Sequence, residues 1–355
     1  MYEDILKRIS NLSKIETILF ERELFKFDKG IPFFLILKAS TKKGRDLFFE
    51  TLDIHEKKWF EEKLNKLEEV NPKEAEQSGK IIEKFLNTIP ELVASVEKDG
   101  KKIKKQIISN REIMKAGFHT NFTISDQMKG IPFPPLEKAA DPGQKIIELP
   151  DPKKVKLMTN DIIDVIDKRR SRRKFTDNPL TLLELSYLLW ATQGIEKLVN
   201  NNHISLRTVP SAGARHPFET YLAVHNVSDL DPSLYRYLPI EHQLVFLEKI
   251  PELKSKLNKA AFDQNFVGEC AVTFLWGCVP YRGEWRYTLT SHKVMLIDIG
   301  HVCQNLYLAC ESINCGTCAV GAYNQEEIDE LLNLDGKNEF IIYLAPVGKL
   351  NRKKE

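Results

Sequence analysis

No apolar run in this chain is long enough to cross a bilayer. The longest, such as Ile31-Pro32-Phe33-Phe34-Leu35-Ile36-Leu37, fall far short of the roughly 20 residues a spanning helix needs. A secretory leader is missing as well: Met1-Tyr2-Glu3-Asp4 opens the chain with acids, and lysines and arginines break the first apolar stretch. There is little excess charge of either sign, with 52 Lys and Arg against 50 Asp and Glu and a net charge of +2. That balance argues against a dedicated nucleic-acid binder, which carries a global basic field. Six cysteines are present, but only Cys315-Gly-Thr-Cys318 forms a CxxC, and structural zinc asks for a second knuckle or a histidine pair. Cys303 and Cys310 lie one heptad apart within an apolar helical pattern, where free cysteine serves as a small core residue. A GxGxxG fingerprint, repeats and low-complexity tracts are all lacking. The expectation is a cytoplasmic protein with reduced cysteines, no metal, and no membrane or nucleic-acid partner.

What is there divides into three regions. Residues 1–115 are rich in Lys, Glu, Leu, Ile and Phe; the spacing Ile81-Ile82-x-x-Phe85-Leu86-x-x-Ile89 is helical, whereas residues 31–37 look like a strand. They read as a mostly helical accessory region. Residues 116–156 hold Pro132, Pro134, Pro135, Pro142, Pro150 and Pro152 and should form an extended connector. Residues 157–355 carry an α+β pattern. Thr181-Leu-Leu-Glu184 is a capping box that opens a helix closed at Gly194. Residues 218–225, 270–276 and 340–345 read as strands, and Leu234-Tyr235-Arg236-Tyr237 begins a hairpin that returns through Leu244-Val245-Phe246. Residues 291–313 form a helix apolar nearly all round, too long for one small core to cover, which points to a second subunit.

One stretch stands out chemically. From 168 to 174 six cationic side chains surround Ser171: Lys168, Arg169, Arg170, Arg172, Arg173 and Lys174. Such a cluster repels itself unless solvent or an anion compensates it. Arginine forks and a serine hydroxyl at a turn suit a phosphate; a solvated basic face and a nucleic-acid footprint remain open on these residues alone. Further on, Pro210-Ser211-Ala212-Gly213-Ala214-Arg215-His216-Pro217 frames small residues between prolines, which lets backbone approach a flat ligand. Cys318-Ala-Val320-Gly321-Ala-Tyr323 and Pro346-Val-Gly348-Lys349 add two more such turns.

Taken in order, Arg-Arg-Ser-x-Arg-x-Phe, Pro-Ser-Ala-Gly-Ala, Gly300-His301-Val302-x-Gln304-Asn305-Leu306, Val320-Gly321-Ala322 and Val347-Gly348-Lys349 resemble the nitroreductase family of FMN enzymes. Arg207-Thr208-x-Pro210-Ser211-Ala212-Gly213, Leu234-Tyr235-Arg236-Tyr237, Arg286-Tyr287, the segment at Phe118-His119 and the proline-rich connector resemble its SagB-type branch. The likeness covers residues 115–352 and leaves the first hundred or so outside.

The resemblance implies a mixed sheet flanked by helices, dimerised over long helices, with an N-terminal helical extension. It assigns the FMN phosphate to Arg169, Arg170, Ser171 and Arg173, with Lys349 closing from the last strand. Pro210, Ser211, Ala212, Gly213 and Ala214 would line the flavin from the partner subunit, and Gly321, beside Val320, would offer its N–H toward flavin N5. At Ala214 many relatives carry an amide, so a ring contact is lost or passes to Arg215. Arg286 and Tyr287 stand where ring-oxidising relatives have a Lys-Tyr acid/base pair; an arginine is always protonated and cannot be the base. His216 and His301 read as structural. The activity implied is hydride transfer between flavin and an organic substrate: azoline oxidation in a modified peptide, or reduction of a nitroaromatic or quinone by NAD(P)H. A non-catalytic flavin-binding subunit of a peptide-modifying complex is the alternative, with a nucleic-acid binder the remaining rival.

Overall fold

The computed structural model describes residues 2–26, 31–40, 42–49, 54–65, 71–115 and 123–351, in two compact units, 1–111 and 112–355. Phe118 and His119 lie outside the described residues.

The first unit is helical: α1 (Tyr2–Ser10), α2 (Lys14–Lys26), α3 (Ile31–Ala39), α4 (Lys42–Phe49), α5 (Ile54–Asn65) and α6 (Pro72–Ile113). Residues 31–37 are thus a helix, contrary to the strand expected. The run is uniformly apolar, with no alternation to fix a strand, and Pro32 falls in the first turn, where its missing N–H costs nothing. Phe33, Ile36 and Leu37, spaced i, i+3, i+4, bury one stripe against Ile5, Leu6, Phe48 and Leu64. The burial of α6 is confined to its first half, from Ala75 to Ile89.

The second unit is three layers, with a seven-stranded sheet between helices. Its strands are β1 (Ile146–Glu148), β4 (Phe218–Val224), β5 (Leu234–Leu238), β6 (Gln243–Glu248), β7 (Val272–Cys278), β8 (Cys315–Thr317) and β9 (Phe340–Lys349), in the order β1-β6-β5-β4-β7-β9-β8. The α+β reading stands, but these strands pair antiparallel throughout, where a mixed sheet was expected; among the described residues parallel pairing is limited to the isolated bridges Ser171–Thr317 and Leu180–Val227. β4 and β7 are buried along their whole length because both faces are covered. Phe218, Leu222 and Val224 turn to one face, with α8 (Leu182–Gln193) and α11 (Ser291–Ser312). Tyr221 and Ala223 turn to the other, with α9 (Leu253–Ala260) and α12 (Gln325–Leu331). The predicted capping box is present: Thr181 Oγ accepts from the Glu184 N–H at 3.2 Å and Glu184 accepts from the Thr181 N–H at 2.9 Å.

A hairpin of β2 (Ile195–Val199) and β3 (Ile204–Arg207) follows α8 and was not read from the sequence. Its signal was Asn200-Asn201-Asn202, which all take positive φ at the turn. The hairpin delivers Arg207, whose guanidinium donates to Gln193 Oε1 at 2.9 Å and to the Leu136 carbonyl at 3.2 Å. The connector belongs to this unit and is fastened along its length. Arg236 donates to the carbonyls of Lys138 and Ala139, Lys138 N–H to Glu219 at 2.7 Å, and the Trp285 indole to the Ile131 carbonyl at 2.9 Å.

Candidate functional site

The basic turn leaves α7 (Ile162–Lys168), which starts at Asp161, where the carboxylate caps the Ile163 N–H at 2.8 Å. Beyond Arg169 the chain runs extended beside β8: Ser171 bridges to Thr317, and the Arg172 N–H donates to the Thr317 carbonyl at 2.9 Å. The result is a groove of about 1410 Å³ bordered by Lys168, Arg170, Ser171, Arg172, Arg173 and Lys174, against only two acids, Asp164 and Asp167. Arg169 stacks on the Tyr307 ring at 5.3 Å, and the Tyr307 hydroxyl meets Ser171 Oγ at 3.0 Å while accepting the Ala319 N–H at 2.8 Å. Arg170 bonds to nearby carbonyls, and Arg173 leans over Phe266 at 5.7 Å. Lys349, expected to close over this turn, pairs with Glu184 at the start of α8. Two donors without hydrogen-bond partners lie here, buried Arg172 Nε and Thr317 Oγ1. A hydroxyl among guanidinium forks, in an open groove with a surplus of cations, is what an anionic group would satisfy, so the groove-lining residues fit a phosphate.

The second group forms around residues 210–214. Ser211 Oγ donates to Asp298 Oδ2 at 2.6 Å, the Ala212 N–H bonds to the same carboxylate at 3.1 Å, and Ser211 Oγ accepts the His216 N–H at 2.9 Å. Burial pushes the Asp298 carboxyl above its ordinary range, against the pull of those bonds. Gly213 has φ 58°, and a β-carbon there would lie 2.5 Å from the Tyr287 hydroxyl and 3.0 Å from Arg286 Nε. The loop therefore packs on the Arg286-Tyr287 pair at the end of α10 (Tyr281–Tyr287). Arg215 donates to the Gly213 carbonyl at 3.1 Å, and its guanidinium lies near both the Phe133 and Trp285 rings, at 5.7 and 5.4 Å. Burial holds the His216 imidazole well below its usual pKa, at about 2, which keeps it neutral and structural. His301 is exposed on α11.

Val320 and Gly321 follow β8; Val320 is buried and bridges to Leu344, while exposed Gly321 has nothing nearer its β-carbon position than Tyr343 at 3.9 Å. They continue the strip that holds Ser171 and Thr317. Sequence reasoning missed Asp298, Tyr307 and Phe133. Asp298 had a signal, an acid within an otherwise apolar helix; the other two had none. The described residues hold no cluster of metal-ligating groups, and all six cysteines are free and buried.

The antiparallel sheet between helix layers, the basic turn and the small-residue loop belong together as one type of oxidoreductase domain. A nitroreductase family model matches residues 166–349, and the chain belongs to that family, whose members are generally flavin-dependent. A protein of Methanocaldococcus jannaschii named as a nitroreductase is 35% identical over 204 residues, 57% of this chain and 96% of that one. The trifolitoxin-processing protein TfxB of Rhizobium leguminosarum is 26% identical over 160 residues, 44% of this chain and 42% of that one. A crystal structure of a Ralstonia eutropha protein described as a nitroreductase superposes with a TM-score of 0.49 at 25% identity, covering 62% of this chain and 100% of that chain. No helix among the described residues is long and apolar enough to cross a membrane.

Proposed function

We propose that the protein is an FMN-dependent oxidoreductase of the SagB-type branch, acting as a homodimer on an organic substrate. The observation that carries this is the groove in which Lys168, Arg170, Arg172, Arg173 and Lys174 surround Ser171 against two acids. FMN, when bound, supplies the two-electron hydride chemistry. The chain's own part is to bind and orient. Arg169, Arg170, Ser171 and Arg173 hold the phosphate, Tyr307 fixes Ser171, and the strip through Gly321 leaves open backbone. Arg286 is a fixed cation, and Tyr287 is the one group of the pair able to donate a proton.

Where the two groups sit supports the homodimer. Asp298 anchors the 210–214 loop and Tyr307 anchors Ser171, nine residues apart on α11. At 100° and 1.5 Å per residue, they lie on opposite faces, roughly 13 Å apart along the axis. One cofactor seated on the basic turn is then beyond this chain's own loop, and a second copy supplies that wall. Just before Asp298, α11 exposes Leu296 and Ile297, and between the anchors it exposes Gly300, where nothing lies within 4 Å of a β-carbon.

The test is extraction of the purified protein. FMN identified by mass, at one per chain, supports the reading, and Arg169→Ala with Arg173→Ala should release most of it. A colourless protein, or a double variant with full flavin, overturns it. A modified peptide is the second substrate reading, and the likeness to a trifolitoxin-processing protein favours it over a simple nitroaromatic.

A further inference from the structure

We propose that Arg215 and Arg286 form a carboxylate-binding subsite, so that the substrate is an organic acid. This rests on the oxidoreductase reading and names its substrate class. The two guanidinium groups converge on Gly213: Arg215 Nε donates to its carbonyl at 3.1 Å, and Arg286 Nε lies 3.0 Å from its β-carbon position. Arg215 is 4% exposed, and its Nη2 has no hydrogen-bond partner. Other buried arginines of this unit have a carboxylate or a full set of neutral acceptors. Arg236 and Arg282 pair with Glu219, and Arg207 donates to Gln193, Ser205 and the Leu136 carbonyl. Among the described residues, neither Arg215 nor Arg286 has an acidic partner in an ion pair. Asp298, the acid that anchors this loop, is bonded to Ser211 and Ala212 instead.

The surroundings hold the cations in place rather than neutralise them. Phe133 and Trp285 face Arg215, and the Tyr287 ring lies 5.3 Å from the Arg286 guanidinium. Burial chiefly, and then the charge of Arg286, pull the Arg215 pKa down. A carboxylate presents two oxygens to two forks and removes that penalty. Arg286 is half-buried, so the anion reaches the pair from its side. The cofactor phosphate has its own donors around Ser171, on the far face of α11.

Calorimetry on the flavin-loaded protein at low salt, with benzoate and its neutral isostere benzamide, tests this. Benzoate should bind at least about tenfold more tightly. Arg286→Gln should weaken benzoate by about 10–100-fold while leaving benzamide and flavin content unchanged. Arg215→Met should do the same; should it fail to fold by its melting curve, Arg286→Gln carries the test. Equal binding of the two probes, or unchanged benzoate binding in Arg286→Gln, overturns the proposal. Release of flavin by Arg286→Gln also overturns it, by assigning the pair to the cofactor phosphate. If the protein purifies without flavin, the oxidoreductase reading fails, while the benzoate preference still decides whether the anion subsite exists.

Discussion

Gly213 and Tyr287, seventy-four residues apart in the chain, are packed so closely that any side chain at 213 would collide with the tyrosine hydroxyl. Gly213→Ala adds that clash to a left-handed backbone that itself costs about 1–2 kcal/mol for a residue with a β-carbon. The melting temperature should fall, and fall less in a Tyr287→Phe background, with a coupling of about 0.5–3 kcal/mol. Additive losses in the double-mutant cycle would show that the two residues do not press on each other. Tyr287→Phe alone should cost turnover less than the ~10²–10⁴-fold typical of a lost general acid.

Asp298→Ala removes the carboxylate that holds both Ser211 Oγ and the Ala212 N–H. The expected loss is about 2–4 kcal/mol, with flavin content falling as the 210–214 loop loosens. Asp298→Asn keeps an acceptor and should lose less, because burial already disfavours the charged form. Unchanged melting and flavin content in the alanine variant would remove Asp298 from the site.

The exposed apolar stripe of α11 predicts the oligomeric state. Leu296 and Ile297 are 58% and 47% exposed in the single chain. Leu296→Glu with Ile297→Glu should turn a sedimenting dimer into a monomer that has also lost flavin. A wild-type monomer with bound flavin at sub-micromolar concentration would refute the shared site.

Glu137, on the connector, accepts the Ile240 N–H at 3.0 Å, and burial chiefly, with neighbouring Glu241, pushes its carboxyl up to about 7. A folded-state pKa above the unfolded 4.5 means that stability is complete below 4.5 and is lost as pH rises through 7. Glu137→Gln should therefore match wild type near pH 4 and exceed it at pH 8, by about 1–2 kcal/mol after allowance for partial solvation. Identical melting curves for the two proteins at pH 8 would refute the shift.

The features legible in the sequence were those set by local chemistry. The Thr181–Glu184 box, the apolar strands at 218 and 272, and the crowd of cations around Ser171 each carry their cause within a few residues. Residues 31–37 misled because an unbroken apolar run satisfies a buried helix as well as a strand, and packing against Ile5 and Phe48 decides between them. The meeting of Gly213, Arg215, Arg286 and Tyr287 has no local signature; it arises from the sheet and the connector, which bring α10 against the loop. Lys349 has a plain position in the motif, but its ion pair with Glu184, 165 residues away, has no local signature.

The connector is gripped by its main chain. Arg207, Arg236 and Trp285 hold the carbonyls of Leu136, Lys138, Ala139 and Ile131, not their side chains. Such a grip is blind to residue type but sensitive to count. Most substitutions at Ile131, Leu136, Lys138 and Ala139 leave those oxygens where they are, whereas deleting one residue moves each of them by about 3.3 Å and breaks the series. The segment can drift in composition while its length stays fixed, and with it the placing of Phe133 against Arg215.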